Sequence, residues 1–404
     1  MSARRIIHGD ALERLRELDT GSAYGMVTDP PSGTGFMGKQ WDKNKGGRDA
    51  WVAWLGAIFT EARRVLVPGA YVLVWALPRT SHWTALALEA GGFEIRDSLH
   101  HVFGSGFPKS LNVGAAVGEA WKGYGTALKP AHEVWWLARA PLGESSIARN
   151  VLAHGAGAVN VDGCRVEGAA MLVRPSTPRH DNSVFGGGLG AGIQDEPAGR
   201  WPPNFLLSHD CDDACRDGCP VGELDAAGAF FPVFKYAAKP SRAERSAGLE
   251  ALPLRPSQKL NSGGIEARRQ ALAEAAMANQ QGLRVTKGTT LIRDDGSEAL
   301  VARFVPSYSA NNHPTVKPVE LMRWLARLVT PPDGVVLDPF TGSGTTAAAC
   351  ALEGFGFVGI EQDAEYVELA RRRVSHFERL AVMPSADVAM RGSQGQRGMF
   401  EGLA

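Results

Sequence analysis

The chain has 404 residues with 43 Lys+Arg against 43 Asp+Glu, so global charge points to no polyanionic partner and any such face must be local. Hydrophobic residues make up 44%, enough for a real core, and the length fits one large domain with an insertion, or two domains. The opening MSARRIIHGD has no apolar h-region and no apolar run reaches about 18 residues, so neither a secretory signal nor a membrane span is expected. Five unevenly spaced cysteines fit a reducing compartment, and a cytoplasmic protein is expected.

In chain order, Arg4 to Ile7 reads as a short strand, and Ala11 to Leu18 as a helix with Leu12, Leu15 and Leu18 on one face. Tyr24 to Thr28 is a second strand, ending in Asp29-Pro30-Pro31-Ser32 and the glycine-rich GTGFMGKQWD. Two prolines cannot lie inside a central strand, so this is a loop at a strand's carboxyl end, where open α/β sheets bind ligands. A helix is expected over Trp51 to Val67, broken by Pro68-Gly69, then a strand over Tyr71 to Ala76. A helix over about His82 to Ala90, a strand from Phe93 to Leu99, the loop FGSGFPKS and a strand from Glu133 to Arg139 follow. This alternation argues a doubly wound, mostly parallel sheet.

After about Asn150 the pattern dissolves into Gly-, Pro-, Ser-, Asn- and Arg-rich sequence, including the flexible GGGLGAG at 186 to 192. From Lys235 to Lys287 there are ten Lys or Arg and four acids, the locally basic stretch, which suits a solvated face or phosphate contacts. Alternation resumes near His313, with HPTVKP extended, Pro318 in a helix's first turn and Leu321, Leu325 and Leu328 on that helix's apolar face. Val335 to Glu361 reads as strand, tight turn, helix and strand. A last helix is capped by Asp363 and buries Val367, Ala370, Val374 and Phe377. The expected division is 1–150, an insertion over 151–310, 311–380, and a disordered tail over 381–404.

Two loops carry the chemistry. Gly342 and Gly344 follow Asp338-Pro339-Phe340-Thr341, letting backbone approach a ligand at a helix N-terminus. Glu361 lies 19 positions after Gly342, near the spacing at which a second-strand carboxylate meets a ribose hydroxyl. A nucleoside cofactor is therefore expected. In the other loop, the Asp29 carboxylate and the Pro30 carbonyl are two acceptors held side by side. They suit an amino group, whose two hydrogens they bind, freeing the nitrogen lone pair to attack.

Asp29-Pro30-Pro31, Asp338-Pro339-Phe340-Thr341-Gly342-Ser343-Gly344, Gly9-Asp10 and His313-Pro314-Thr315-Val316-Lys317-Pro318 together resemble the β-group, permuted DNA amino-methyltransferases of the adenine-N6 and cytosine-N4 type. The phrases FMGKQWD, GSGFPKS and GTALKPAHE resemble phage-type and bacterial members. The resemblance covers about 1–140 and 311–378. It implies a Rossmann-like seven-stranded methyltransferase sheet with one antiparallel strand, S-adenosyl-L-methionine as cofactor, and a base flipped from double-stranded DNA. It also implies site-specific DNA methylation, as in restriction-modification, by a bacterial or phage-encoded enzyme. Asp29 at the first catalytic position leans to adenine N6 over cytosine N4. The implied cofactor set is Asp10 near the adenine, Glu361 at the ribose hydroxyls, Thr315 and Lys317 by the methionine carboxylate, and the turn Phe340, Thr341, Gly342, Ser343 and Gly344 around the ligand, with His313, Asp338, Pro339, Thr345 and Gln362 as further cofactor-binding candidates.

One position departs from the pattern. The fourth catalytic residue is usually aromatic and stacks on the base; here it is Ser32. Stacking contributes about 1–3 kcal/mol per base, so Phe36, and after it Trp41, is expected to supply it. The catalytic set is then Asp29, Pro30, Pro31, Ser32 and Phe36, with no catalytic metal.

Other readings stand beside this one. The glycine loop also fits a loose dinucleotide fingerprint, hence a nicotinamide oxidoreductase; Asp338-Pro339 ahead of the glycines speaks against it. A P-loop is excluded because no Lys follows the glycines. Ser32 admits a methyltransferase-like protein that only binds DNA. Asp10 also suits the cap of the helix beginning at Ala11. His209, Cys211, Cys215 and Cys219 admit a structural zinc or a loop of reduced thiols, since three residues separate successive cysteines instead of the usual two. The insertion is expected to recognise the target sequence. The recognition sequence, a homodimer and a restriction endonuclease partner are left open.

Overall fold

Short apolar strands and amphipathic helices alternate along the chain, and they assemble into one large sheet with helices on both faces. The computed structural model describes residues 4–35, 40–43, 45–104, 106, 110–166, 199–209, 211, 214–225, 230–235, 240–253, 255–256, 290–292, 298–300 and 308–382. The chain divides into two compact units, Met1–Gly248 with Thr315–Ala404, and Leu249–Pro314.

The first unit holds strands β1 (Arg4–His8), β2 (Ala23–Thr28), β3 (Leu66–Ala76), β4 (Glu94–Phe103), β5 (His132–Arg139), β6 (Phe205–His209), β7 (Val233–Lys235), β8 (Val335–Asp338) and β9 (Gly356–Glu361). They lie in the order β1-β9-β8-β2-β3-β5-β4-β6-β7. Only β5 runs against its neighbours β3 and β4; every other pairing is parallel. The permutation is visible in this order: β8 and β9, late in the chain, sit between β1 and β2. The expected seven strands are here nine. The additional pair, β6 and β7, comes from the stretch expected to be a separate insertion, and extends the edge of the main sheet beside β4.

Among the described residues, the helices longer than five residues are α1 (Ala11–Arg16), α2 (Arg48–Val65), α3 (Ser81–Ala90), α4 (Ile147–His154), α5 (Val319–Val329), α6 (Thr345–Glu353) and α7 (Ala364–Val382). Alternate residues of β3 serve opposite faces. Val72 and Val74 pack with Leu15, Trp51, Leu55 and Phe59, whereas Leu73 and Trp75 pack with Leu321, Leu325 and Val336. Burial on both faces explains why the strands read as continuous apolar runs instead of alternating ones. Each fully buried large side chain contributes about 1.5–3 kcal/mol, so both layers are needed.

Boundaries moved for local reasons. α1 stops at Arg16, two residues short of Leu18. β3 begins at Leu66 and runs through Pro68-Gly69: its pairing with β2 slips between Ala23↔Leu66 and Gly25↔Tyr71, and Gly69 takes φ +79° in that irregularity. Pro68 is tolerated because it lies where the ladder is interrupted. α7 has the expected Asp363 start, where Asp363 Oδ1 accepts from the Glu365 N–H at 2.9 Å, and it continues to Val382. The four residues expected to be buried on it are buried.

In the second unit, Arg255–Pro256 pairs antiparallel with Tyr308–Ser309, and Thr290–Ile292 with Glu298–Leu300. Much of the basic stretch, the GGGLGAG loop and the tail from 383 lie outside the described residues. Among the described residues no helix is long and apolar enough to cross a membrane.

Candidate active site

The carboxyl ends of β2 and β8 lie side by side, and each ends in an Asp-Pro loop. Thr28, the last residue of β2, donates its hydroxyl to Asp338 Oδ1 at 2.7 Å. Asp338 Oδ1 also accepts the Phe340 N–H at 3.1 Å, and its own carbonyl accepts the Thr341 hydroxyl at 3.1 Å. Asp338 is buried, and burial pushes its carboxyl up to about 6 against the pull of these donors. Its side chain therefore shapes the turn from within. Asp29 follows Thr28 directly, so the two loops are tied together next to the Asp29 carboxylate.

The Asp29 loop is held by a residue that sequence reasoning passed over. Asp42, 1% exposed, accepts the Ser32 N–H, the Ser32 hydroxyl at 3.0 Å to either oxygen, and the Gly33 N–H at 3.1 Å. Thr80 Oγ1 donates to the Ser32 carbonyl at 3.2 Å. Gly33, at φ +71°, lies against Trp51, where a Cβ would fall 2.6 Å from the indole nitrogen. Ser32 is thus anchored inward. An aromatic side chain there would lose both hydroxyl bonds. Asp42 closes the quoted phrase FMGKQWD, so its signal was present. Phe36 lies outside the described residues; Trp41 is half-buried in the 3₁₀ turn Gln40–Asp42.

Beside Asp29 stands a buried charge cluster. Lys317 Nζ lies 3.6 Å from Asp29 Oδ2 and 3.1 Å from Glu133 Oε2. It also sits 4.0 Å from the centre of the Trp75 ring. Trp75 is the last residue but one of β3, while Glu133 is the second residue of antiparallel β5, so strand reversal brings them to the same edge. Burial drives the Asp29 carboxyl up to about 7; Lys317 pulls it down, and Glu133 and Asp338 push it further up. For Glu133, burial opposes ionisation, but Lys317 and His101, with the hydrogen bond from Lys317, outweigh it and hold the carboxyl below its usual range. One ammonium is shared by two carboxylates, and the closer one holds the charge. His101, across the register from Glu133, bonds Ser208 Oγ through Nε2 at 2.6 Å, and burial lowers its ring to about 4, so it is neutral near pH 7. Glu133 ends the phrase GTALKPAHE; Trp75 had no signal beyond an apolar strand.

Glu361 ends β9 and organises the cofactor-type loop. Its Oε2 accepts the Gly342 N–H at 2.8 Å and its Oε1 the Asp363 N–H at 2.8 Å. Burial raises its carboxyl. Gly344 caps α6 at φ +80°, and a Cβ there would lie 2.8 Å from the Ala370 Cβ. Buried Arg373, also unanticipated, donates to the Ser343 carbonyl at 2.8 Å, the Ser343 hydroxyl at 3.2 Å and the Thr345 hydroxyl at 3.1 Å. Phe340 packs beside Trp54 with ring centroids 6.1 Å apart, and Pro339 is buried.

Asp10 caps α1, its Oδ1 accepting the Leu12 N–H at 2.9 Å and the Glu13 N–H at 3.2 Å. It lies two residues past His8, the register partner of Glu361, so both acids occupy one sheet edge. Gln362 is exposed, and its carbonyl lies 3.1 Å from His8 Nε2. Thr315 is half-buried. Lys317, expected by a methionine carboxylate, contacts Asp29 and Glu133. His313 belongs to the second unit, where its N–H donates to Asn311 Oδ1 at 3.0 Å.

Residues 283–372 match a family model described as DNA methylase, of the N6/N4 methyltransferase group. The chain is similar to the type II methyltransferase M2.MboI of Moraxella bovis, 46% identical over 61 residues, 15% of this chain and 22% of that protein. It is also similar to the DNA adenine methyltransferase YhdJ of Escherichia coli K12, 42% identical over 69 residues, 16% and 24% of the two chains. The matches thus span under a quarter of these relatives' length. Among solved structures it resembles the cytosine-N4-specific PvuII DNA methyltransferase, with 14% identity, TM-score 0.42 and 94% and 93% coverage. It likewise resembles an M1.HpyAVI–SAM complex, with 16% identity, TM-score 0.39 and 92% and 98% coverage.

Proposed function

We propose that this chain, which over residues 283–372 carries the N6/N4 DNA methylase signature, methylates the exocyclic amino group of a base in double-stranded DNA, with adenine N6 as the target atom. One observation carries the reading: the amine-accepting Asp29 and the glycine turn at Asp338 are adjacent, linked by the 2.7 Å Thr28–Asp338 bond. Asp29 at the first catalytic position and the similarity to a relative named as an adenine methyltransferase support adenine.

The residues fit S-adenosylmethionine as a donor set. Glu361 and Asp10 bring carboxylates to one edge for hydroxyl and amino hydrogens: each Glu361 oxygen keeps a lone pair beyond its one backbone partner, and Asp10 binds both its backbone donors through Oδ1, leaving Oδ2 for a ligand. Phe340 to Gly344 would enclose the ligand, with Thr315 and Lys317 nearby. When bound, it supplies a methyl group activated by a sulfonium.

The chain's own residues do the rest. Asp29 and the Pro30 carbonyl accept the two amino hydrogens and localise the nitrogen lone pair. A carboxyl raised to about 7 is basic enough to take the proton that the nitrogen sheds once it gains a fourth bond. Lys317 pulls the Asp29 carboxyl down and so favours the ionised form that accepts the amine, and Glu133 keeps Lys317 in place. Phe36 or Trp41 stacks on the flipped base. The stretch 151–310, apart from β6 and β7, reads the target sequence, with basic residues between Lys235 and Lys287 on phosphates.

Transfer of tritiated methyl to unmethylated duplex DNA tests the function, and long-read sequencing of DNA from expressing cells identifies the base. N6-methyladenine is expected. N4-methylcytosine would overturn the choice of base. No incorporation by a chain that binds S-adenosylmethionine would overturn catalysis, and calorimetric binding of NAD instead would favour an oxidoreductase.

A further inference from the structure

β6 ends at His209, and the chain turns past Cys211, Cys215 and Cys219 into the short helix Pro220–Leu224. Four side chains converge there. The imidazole and the three sulfurs each offer a ligand atom, and these atoms lie within 4.8 Å of one another. Cys215 Sγ stands 3.6 Å from His209 Nδ1. A tetrahedral zinc with Zn–S of about 2.3 Å and Zn–N of about 2.0–2.1 Å sets its ligand atoms about 3.6–3.8 Å apart. The cluster is already close to that arrangement, and none of its sulfurs is in a disulfide.

The surrounding backbone fits the same reading. The Arg216 N–H donates to Cys211 Sγ at 3.5 Å, a contact that supports charge on a ligating sulfur. Gly222 backs onto Cys215 so closely that a Cβ would fall 2.8 Å from the Cys215 Cβ. Cys211 and Cys219 are buried against Leu207 and Val221, whereas Cys215 is exposed and His209 half-buried.

We propose that His209, Cys211, Cys215 and Cys219 bind one structural Zn²⁺. Four protein ligands close the coordination sphere and leave no open position for chemistry. The ion pins the end of β6 and hence the edge of the sheet. Ser208, next to the first ligand, holds His101, the register partner of Glu133.

Full-length chain, purified without chelator and freed of any tag, is assayed for metal by mass spectrometry. One zinc per chain is expected, released by a mercurial thiol reagent into a chromogenic chelator. Exchange with Co²⁺ is expected to give thiolate charge-transfer absorption and the d–d bands of a tetrahedral site. Cys215→Ser is expected to lose the metal and lower the melting midpoint, while Cys164→Ser, outside the cluster, retains it. Less than about 0.1 zinc per chain together with no cobalt charge-transfer band overturns the proposal, as does equal metal content in the two variants. Should Cys215→Ser fail to fold, the cobalt spectrum of the unaltered chain decides.

Discussion

Lys317 Nζ stands 3.6 Å from Asp29 Oδ2, close enough to stabilise the carboxylate and too far to neutralise what burial does to it. Asp29 is pushed up to about 7 in the fold from an ordinary value of 3.8. Its ionisation therefore opposes folding, and the penalty builds as pH rises from about 4 through about 7. Asp29→Asn removes the titrating group. The variant is expected to melt higher than the unaltered chain at pH 8, with the gap closing as pH falls through 7 toward 4. Methyl transfer should fall by about 10²–10³-fold or more. Calorimetry against S-adenosylmethionine separates lost chemistry from lost cofactor binding; retained binding is expected.

Lys317→Met removes the cation that lowers Asp29. The Asp29 carboxyl should rise further, and the acid limb of the pH–activity profile, expected near pH 7, should move to higher pH. A profile that keeps its position while falling uniformly in height would show that Lys317 does not act through Asp29.

Asp42→Ala leaves the Ser32 and Gly33 donors without their acceptor and frees the Asp29 loop. Small misplacements of a reacting group reduce rates by about 10²-fold, and a fall of that order in kcat is expected. Affinity for S-adenosylmethionine should not change, because Asp42 bonds to the Asp29 loop and not to the glycine turn. A parallel loss of cofactor affinity would argue for a wider collapse.

Arg373→Met withdraws three hydrogen bonds from Ser343 and Thr345 at the start of α6. Glu244, whose carboxyl burial raises to about 7 and which accepts the Val319 N–H at 2.6 Å, would also lose its nearby positive charge. A loss of about 2–4 kcal/mol is expected from urea unfolding, together with weaker cofactor binding.

Gly344→Ala tests the turn itself. The residue sits at φ +80° and a Cβ would press on the Ala370 backbone and side chain. Strain on the order of 2 kcal/mol is expected, seen as a lower melting midpoint, and cofactor binding should weaken more than DNA binding measured by fluorescence anisotropy.

Local sequence determined the strands and helices wherever an apolar period was strong, and it determined both loops. Prolines and glycines act on their own backbone, so Asp29-Pro30-Pro31 and the Gly342–Gly344 turn were legible without a partner. The parallel sheet was legible because strands buried on both faces must be apolar throughout. What depended on partners far away in sequence was not. Lys317 meets Glu133 across 184 positions, and Thr28 meets Asp338 across 310. No periodicity signals such pairs, because burial and strand order create them. The seven-strand expectation fell short for the same reason: β6 and β7 are brief, lie in a region without repeating pattern, and gain their ladder hydrogen bonds only by docking in turn, β6 on β4 and β7 on β6. The residue types of the two loops came from the sequence; that burial, offset in part by a shared lysine, raises the Asp29 carboxyl to about 7 was decided by the tertiary structure, because only folding removes the water that would otherwise solvate the charge.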